Sequence, residues 1–214
     1  MSNISKSERI LDAAEELFAL HGYDGVTLRK IASKAGVDVA LANYHFGRKL
    51  DLFNAVLDRR APHLNQVRLD ALRSCQAQAA PAAPDLEQVL AAFLRPLALT
   101  QELETGDSGW RHYLALIAYI NNSPYWGPRV MSRLFDGLVG EFIVALQNAL
   151  PAASSESIYW CYQHLSGALT LTLAQTGRID RLSGGICNSS DFTSAYDSMI
   201  PFMAAGFRKL CHNS

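Results

Sequence analysis

TLRKIASKAGVDVALANYHFGRKL, residues 27–50, reads as two short helices joined by a tight turn. Leu28, Ile31 and Ala32 recur at i, i+3 and i+4, the spacing of one helix face, and Thr27 stands where an N-cap belongs. Gly36 falls where the first helix must stop, because glycine takes positive φ without a Cβ clash. Val37 plugs the corner, Asp38 caps the second helix, and Ala42 and Phe46 are its inward residues. Val39, Ala40, Leu41, Asn43, Tyr44 and His45 are left outside. Such a face suits a major groove, where apolar side chains meet thymine methyls and Tyr and His reach phosphates. Five basic residues (Arg29, Lys30, Lys34, Arg48, Lys49) stand here against one acid, Asp38, in a chain of net charge −1. A local excess of this kind is what a phosphate footprint requires. The same spacing also serves a purely structural helical hairpin with a solvated basic face.

Working outward, Ser5 and Glu8 fit a capping box that opens a first helix. Its apolar stripe is Ile10, Ala14, Leu17 and Phe18, and His21-Gly22 closes it. Ile10-Leu11-Asp12-Ala13-Ala14, Leu17-Phe18, Thr27, Ile31-Ala32, Ala35-Gly36-Val37, Tyr44-His45-Phe46 and Lys49 form a set at fixed spacing. On these residues, positions 9–57 resemble the DNA-binding domain of the TetR family of bacterial repressors. Asn43 departs from the pattern, since the family often carries Tyr there; the wording Asn43-Tyr44-His45-Phe46-Gly47 occurs in a subgroup. The resemblance implies phosphate contacts from Thr27, Tyr44, His45 and Lys49. It implies base contacts from Arg29, Val39, Ala40 and Leu41, and from Asn43 a contact to either a base or a phosphate. It also implies an all-α fold: a helix-turn-helix DNA-binding domain over 1–47, then a ligand-binding and dimerisation bundle over 48–214.

A fourth helix is expected from near Arg48, carrying Leu50, Phe53, Leu57 and Leu64 and joining the head to everything downstream. Pro62 either kinks it or opens a new segment. CQAQAAPAAP, residues 75–84, reads as a loop, and Thr105-Gly106-Asp107-Ser108-Gly109 as a second break. Helices are expected over 85–104, 110–122, 125–150, 155–177 and 191–211, with 178–190 a polar loop. The inward residues are Leu86, Val89, Leu90, Phe93, Leu94 and Leu97 in the first, then Val130, Leu134, Leu138, Phe142, Val144 and Leu146 in the third. None of these stretches alternates as a strand does. Ser166, Gly167, Ala168, Thr170, Thr172 and Ala174 are small enough to let another helix approach. The last two long helices carry more apolar residues than one face needs, and the family pairs these helices across a homodimer. Ile200-Pro201-Phe202-Met203-Ala204-Ala205-Gly206-Phe207 resembles the end of a TetR subgroup that includes fatty-acid-responsive repressors.

Apolar residues make up 49 % of the chain and charged residues 18 %, a balance that builds a sizeable core. No run of 18 apolar residues exists and no apolar leader precedes the first helix, so a soluble cytoplasmic protein without membrane contact is expected. Cys75, Cys161, Cys187 and Cys211 lack metal-ligand spacing and are read as free thiols. No G-x-G-x-x-G, P-loop, H-E-x-x-H, G-x-S-x-G or E-x-x-H appears, so neither a catalytic residue, a metal site nor a cofactor is assigned. Arg111, His112, Asn122, Gln163 and His164 are the polar residues set among apolar helices. They are the candidate orientation points for a small lipophilic effector, with a fatty acid or its coenzyme A thioester among the options. The expected function is a ligand-responsive repressor that leaves a pseudo-palindromic double-stranded operator when effector binds. The alternative is a helical enzyme or carrier of a lipophilic molecule whose N-terminal helices are structural.

Overall fold

The computed structural model describes residues 5–102 and 109–211. Ten helices occur among them and no strand: α1 (Lys6–His21), α2 (Leu28–Ala35), α3 (Val39–Phe46), α4 (Lys49–Ala79), α5 (Leu86–Glu102), α6 (Gly109–Asn121), α7 (Gly127–Ala149), α8 (Ser155–Leu173), α9 (Arg178–Leu182) and α10 (Phe192–Cys211). The local signals act as their chemistry dictates. Ser5 and Glu8 close a reciprocal capping box on α1. Thr27 accepts from the Lys30 amide at 3.2 Å, and Asp38 accepts from the Ala40 amide at 2.7 Å. Gly36 ends α2 in the left-handed region, φ 64° and ψ 41°.

Several expected boundaries move. α4 runs 31 residues without a break, through Pro62 and on to Ala79. Pro62 is exposed, so its ring crowds only the solvent side and the helix continues. Gln76, Ala77, Gln78 and Ala79 are good helix formers and stay in α4, which confines the loop to the segment after Ala79. A short α9 interrupts the expected polar loop over 178–190. The expected break at Thr105 to Ser108 lies outside the described residues. Leu50 and Val144, both expected inward, are 38 % and 59 % exposed, because neighbouring α4 and α7 positions already fill the packed stripe.

The division at residue 47 does not separate two cores. Leu52, Phe53, Val56 and Leu57 of α4 are buried with Ile10, Phe18 and Ile31 of the head, and one cluster continues into the bundle. Trp126, at the start of α7, sits 4.9 Å from the Tyr23 ring and 5.2 Å from Phe53. α1 packs directly along α6. At their crossing Gly22 takes φ +65°, and a Cβ there would meet Tyr119 Oη at 2.8 Å, so only glycine fits. The head therefore touches the bundle through α1 as well as α4.

Candidate functional site

The head presents α3 outward. Ala40, Asn43, Tyr44 and His45 are exposed, with Tyr44 83 % accessible, while Val39 and Leu41 are half-buried. Ala42 is buried and Phe46 half-buried against the core, the phase expected from spacing. Thr27 is exposed at the start of α2, where its hydroxyl already caps the helix.

The basic residues differ in what they are free to do. Lys34 is paired with Glu16 of α1 at 2.8 Å, and Arg48 with Asp51 at 3.3 Å. Lys30 Nζ donates to the Gly25 carbonyl at 3.1 Å. Lys49 Nζ donates to the Tyr23 and Val26 carbonyls, both at 3.1 Å, and lies 4.0 Å from the Tyr23 ring centre. It is thus a tie between α4 and the loop before α2. Arg29 is exposed and makes no ion pair among the described residues. The charge excess is smaller than the composition suggests, since two of the five cations are neutralised by pairs.

Inside the bundle a cavity of about 50 Å³ lies between α4, α5, α6, α7 and α8. Its wall is mostly apolar: Leu64, Phe93, Leu114, Ile117, Met131, Phe135 and Leu169 among others. Its polar residues are Arg68, Asn121, Tyr162, Ser166 and Thr170. None of Arg111, His112, Asn122, Gln163 and His164 lines it. Arg111 is exposed, and His112 faces a surface groove between α1 and α6. Asn122 is exposed and returns its amide to the Ala118 carbonyl at 3.1 Å. Gln163 and His164 point outward from α8, where the His164 ring stacks near Trp160 at 6.3 Å. The reason is helical phase, since one residue turns a side chain by about 100°. Asn121, beside Asn122, is the inward amide and donates to Thr170 Oγ1 at 2.8 Å and Ser166 Oγ at 3.4 Å.

Arg68 was not singled out from the sequence, yet a signal existed. Val56, Arg60, Leu64, Arg68 and Leu72 recur every four residues on α4, so both arginines occupy the buried stripe. Arg60 pairs with Glu15 of α1 at 2.9 Å and stands 4.9 Å from the Trp110 ring of α6. Tyr113 donates to the Leu57 carbonyl at 3.0 Å beside it, and burial pushes its phenol well above the usual range.

A second surface lies on α8 and α10. Tyr159, Trp160 and Leu171 of α8 and Phe202 of α10 are 55–74 % exposed. Gly167 and Gly206 share these two helices, and a Cβ built on either meets nothing within 4 Å. No helix among the described residues is long and apolar enough to cross a membrane.

Comparison with known proteins agrees with this architecture. Residues 10–56 match the family model for bacterial regulatory proteins of the tetR family. Residues 91–206 match the model for the tetracyclin repressor-like C-terminal domain. The HTH-type transcriptional regulatory protein RaaS of Mycobacterium tuberculosis is 41 % identical over 73 residues, 34 % of this chain and 34 % of that protein. The match therefore spans about a third of that curated relative. Among solved structures, a TetR-like transcriptional regulator from Rhodococcus sp. RHA1 superposes with a TM-score of 0.61 at 18 % identity, covering 95 % of this chain and 96 % of the other. The fatty acid degradation regulator FadR from Bacillus halodurans does so with a TM-score of 0.55 at 16 % identity, covering 94 % and 97 %. At such identities the superpositions speak for the fold.

Proposed function

The chain belongs to the TetR family of bacterial regulatory proteins, and from that premise we propose that it is a cytoplasmic repressor whose dimer is released from operator DNA by a small lipophilic effector. The observation that carries the reading is the outward face of α3, with exposed Ala40, Asn43, Tyr44 and His45 beside Arg29, which makes no ion pair among the described residues. In this reading α3 enters the major groove. Arg29, Val39, Ala40 and Leu41 meet base edges, Thr27, Tyr44, His45 and Lys49 meet phosphates, and Asn43 serves either role. Lys49 keeps its two carbonyl bonds and turns the remaining proton outward.

A two-fold dimer through α8 and α10 covers Tyr159, Trp160, Leu171 and Phe202, which otherwise leave a large apolar patch in water. It also spaces two heads for a pseudo-palindromic site. The effector occupies the cavity between α4 and α8. Its presence favours a bundle shape in which the heads no longer match the operator, a coupling of about 1–3 kcal/mol that acts equally on both ligands.

The test is operator recovery from genomic fragments, followed by affinity and salt dependence. Arg29→Ala is expected to lose discrimination by about 1–3 kcal/mol at one base pair. Tyr44→Ala is expected to weaken every sequence alike. Retention of full affinity and sequence preference in both variants would reject α3 as the reading helix. Gly167→Arg combined with Gly206→Arg is expected to yield monomers by sedimentation, and a persisting dimer would move the interface elsewhere.

A further inference from the structure

We propose that Arg68 is the anchor of an anion subsite inside the bundle, and that the group it takes is the single carboxylate of a lipophilic free acid. The subsite lies in the cavity assigned above to the effector and rests on that reading.

Arg68 is only 5 % exposed. Its Nε donates to the Phe93 carbonyl at 2.9 Å, and its guanidinium lies 4.2 Å from the Phe93 ring centre. Nη2 is buried with no hydrogen-bond partner among the described residues. Among the described residues, no Asp or Glu lines the cavity that Arg68 borders. The groups that act electrostatically on it are the Tyr196 and Tyr162 phenols, which burial keeps protonated and neutral. Burial pulls the guanidinium down to about 10, so it remains a cation at neutral pH. The Tyr196 hydroxyl is itself buried without a partner among the described residues. Two orphaned hydrogen-bonding groups thus lie in one apolar region, one of them charged. Unpaired buried charge is strongly disfavoured, and an anion reaching this site would complete it.

The chemistry of that anion is narrow. One guanidinium neutralises one negative charge, and its planar fork matches a carboxylate. One water needs about 10–15 Å³ of such space, so a cavity of about 50 Å³ admits a head group of a few atoms. The polar end of a coenzyme A thioester is far larger and carries several charges, and its buried end is neutral. It leaves Arg68 unpaired. A free acid that enters carboxylate first satisfies Nη2 and lays its apolar body against Leu64, Ile117, Met131 and Phe135. That body needs more room than the cavity has. The flexible Met131 side chain is the natural one to give way, and occupancy is then tied to a wider bundle.

The experiment titrates the full-length protein calorimetrically with decanoate, methyl decanoate and 2-naphthoate. Wild type is expected to bind one of the acids at least about tenfold more tightly than the ester. Tight decanoate marks an aliphatic body and tight naphthoate an aromatic one; either supports the subsite. Arg68→Met is expected to lose that preference for acid over ester and, without ligand, to melt at a higher temperature than wild type, because a desolvated cation has been removed. Equal affinity of acid and ester in wild type, no binding of either acid, or unchanged acid affinity in Arg68→Met would each overturn the proposal. Operator anisotropy measured beside it separates the two readings. Acid binding that depends on Arg68 but leaves the DNA complex untouched keeps the subsite and removes the repressor-release mechanism.

Discussion

Lys49 shows how one side chain can stand at a site for two reasons. Its position matches a phosphate-contact place in the family pattern, yet its ammonium holds the Tyr23 and Val26 carbonyls across more than 20 residues of chain. Lys49→Met keeps the apolar stem and removes both donors. It is expected to destabilise the head by about 1.5–3 kcal/mol, the range for hydrogen bonds to a charged group, in addition to any loss on DNA. Urea unfolding without DNA checks this, and an unchanged midpoint would make the lysine a surface charge alone. The cysteines divide in the same way by surroundings. Cys161 and Cys211 are buried, and burial together with the neighbouring Cys211 pushes the Cys161 thiol up to about 12. Cys75 is half-buried, its thiol donates to the Leu72 carbonyl at 3.1 Å, and burial raises its pKa. Only Cys187 is exposed. At pH 8 an aromatic disulfide reagent is expected to react with one thiol quickly in the folded protein and with all four in denaturant. A fast thiol that maps to Cys161 or Cys211 would show that α8 and α10 open readily.

At the scale of elements, α4 is the informative one. It begins in the head core, passes Arg60 and Arg68 on its buried stripe, and ends as a wall of the bundle. Pro62 interrupts only the outer side of the ladder. Pro62→Ala restores a backbone donor on that side and removes the ring clash. It is expected to stabilise the fold by about 1–3 kcal/mol, read as a rise in melting temperature of several degrees. A fall would mean that the backbone geometry Pro62 imposes is needed for α4 to pack on both α1 and α5. The caps on α1, α2 and α3 were readable beforehand because each joins residues two or three apart. The phase of α6 and α8 was not. Both helices carry apolar side chains on more than one face, so periodicity leaves the inward direction ambiguous and Asn122 could pass for Asn121.

Across the whole molecule the head and bundle are joined at a buried ion pair. Glu15 is 1 % exposed and Arg60 7 %, and Trp110 closes over the guanidinium. Glu15→Gln leaves a buried cation short of its counter-charge and is expected to cost about 3–5 kcal/mol. Glu15→Leu with Arg60→Met removes both charges and is expected to recover most of that loss. Denaturant midpoints of the three proteins check the pair. A double variant as unstable as the single one would show that the ionic geometry itself, rather than charge balance, holds α1 on α4.

From its own pattern the sequence determined the helical class, the helix-turn-helix at Thr27 to Phe46, and the outward direction of Asn43, Tyr44 and His45. Those follow from caps, a glycine stop and a short amphipathic period, all of which act within a few residues. Only the tertiary structure decided that Lys49 holds a loop, that α1 lies on α6, and that Arg68 stands unpaired in an apolar cavity while Arg111, His112, Asn122, Gln163 and His164 do not reach it. Each of these depends on contacts between residues far apart in the chain, such as Arg60 with Glu15 or Arg68 with Phe93. A helix states its own period locally, but which of its faces becomes the interior is set by the helices that close around it.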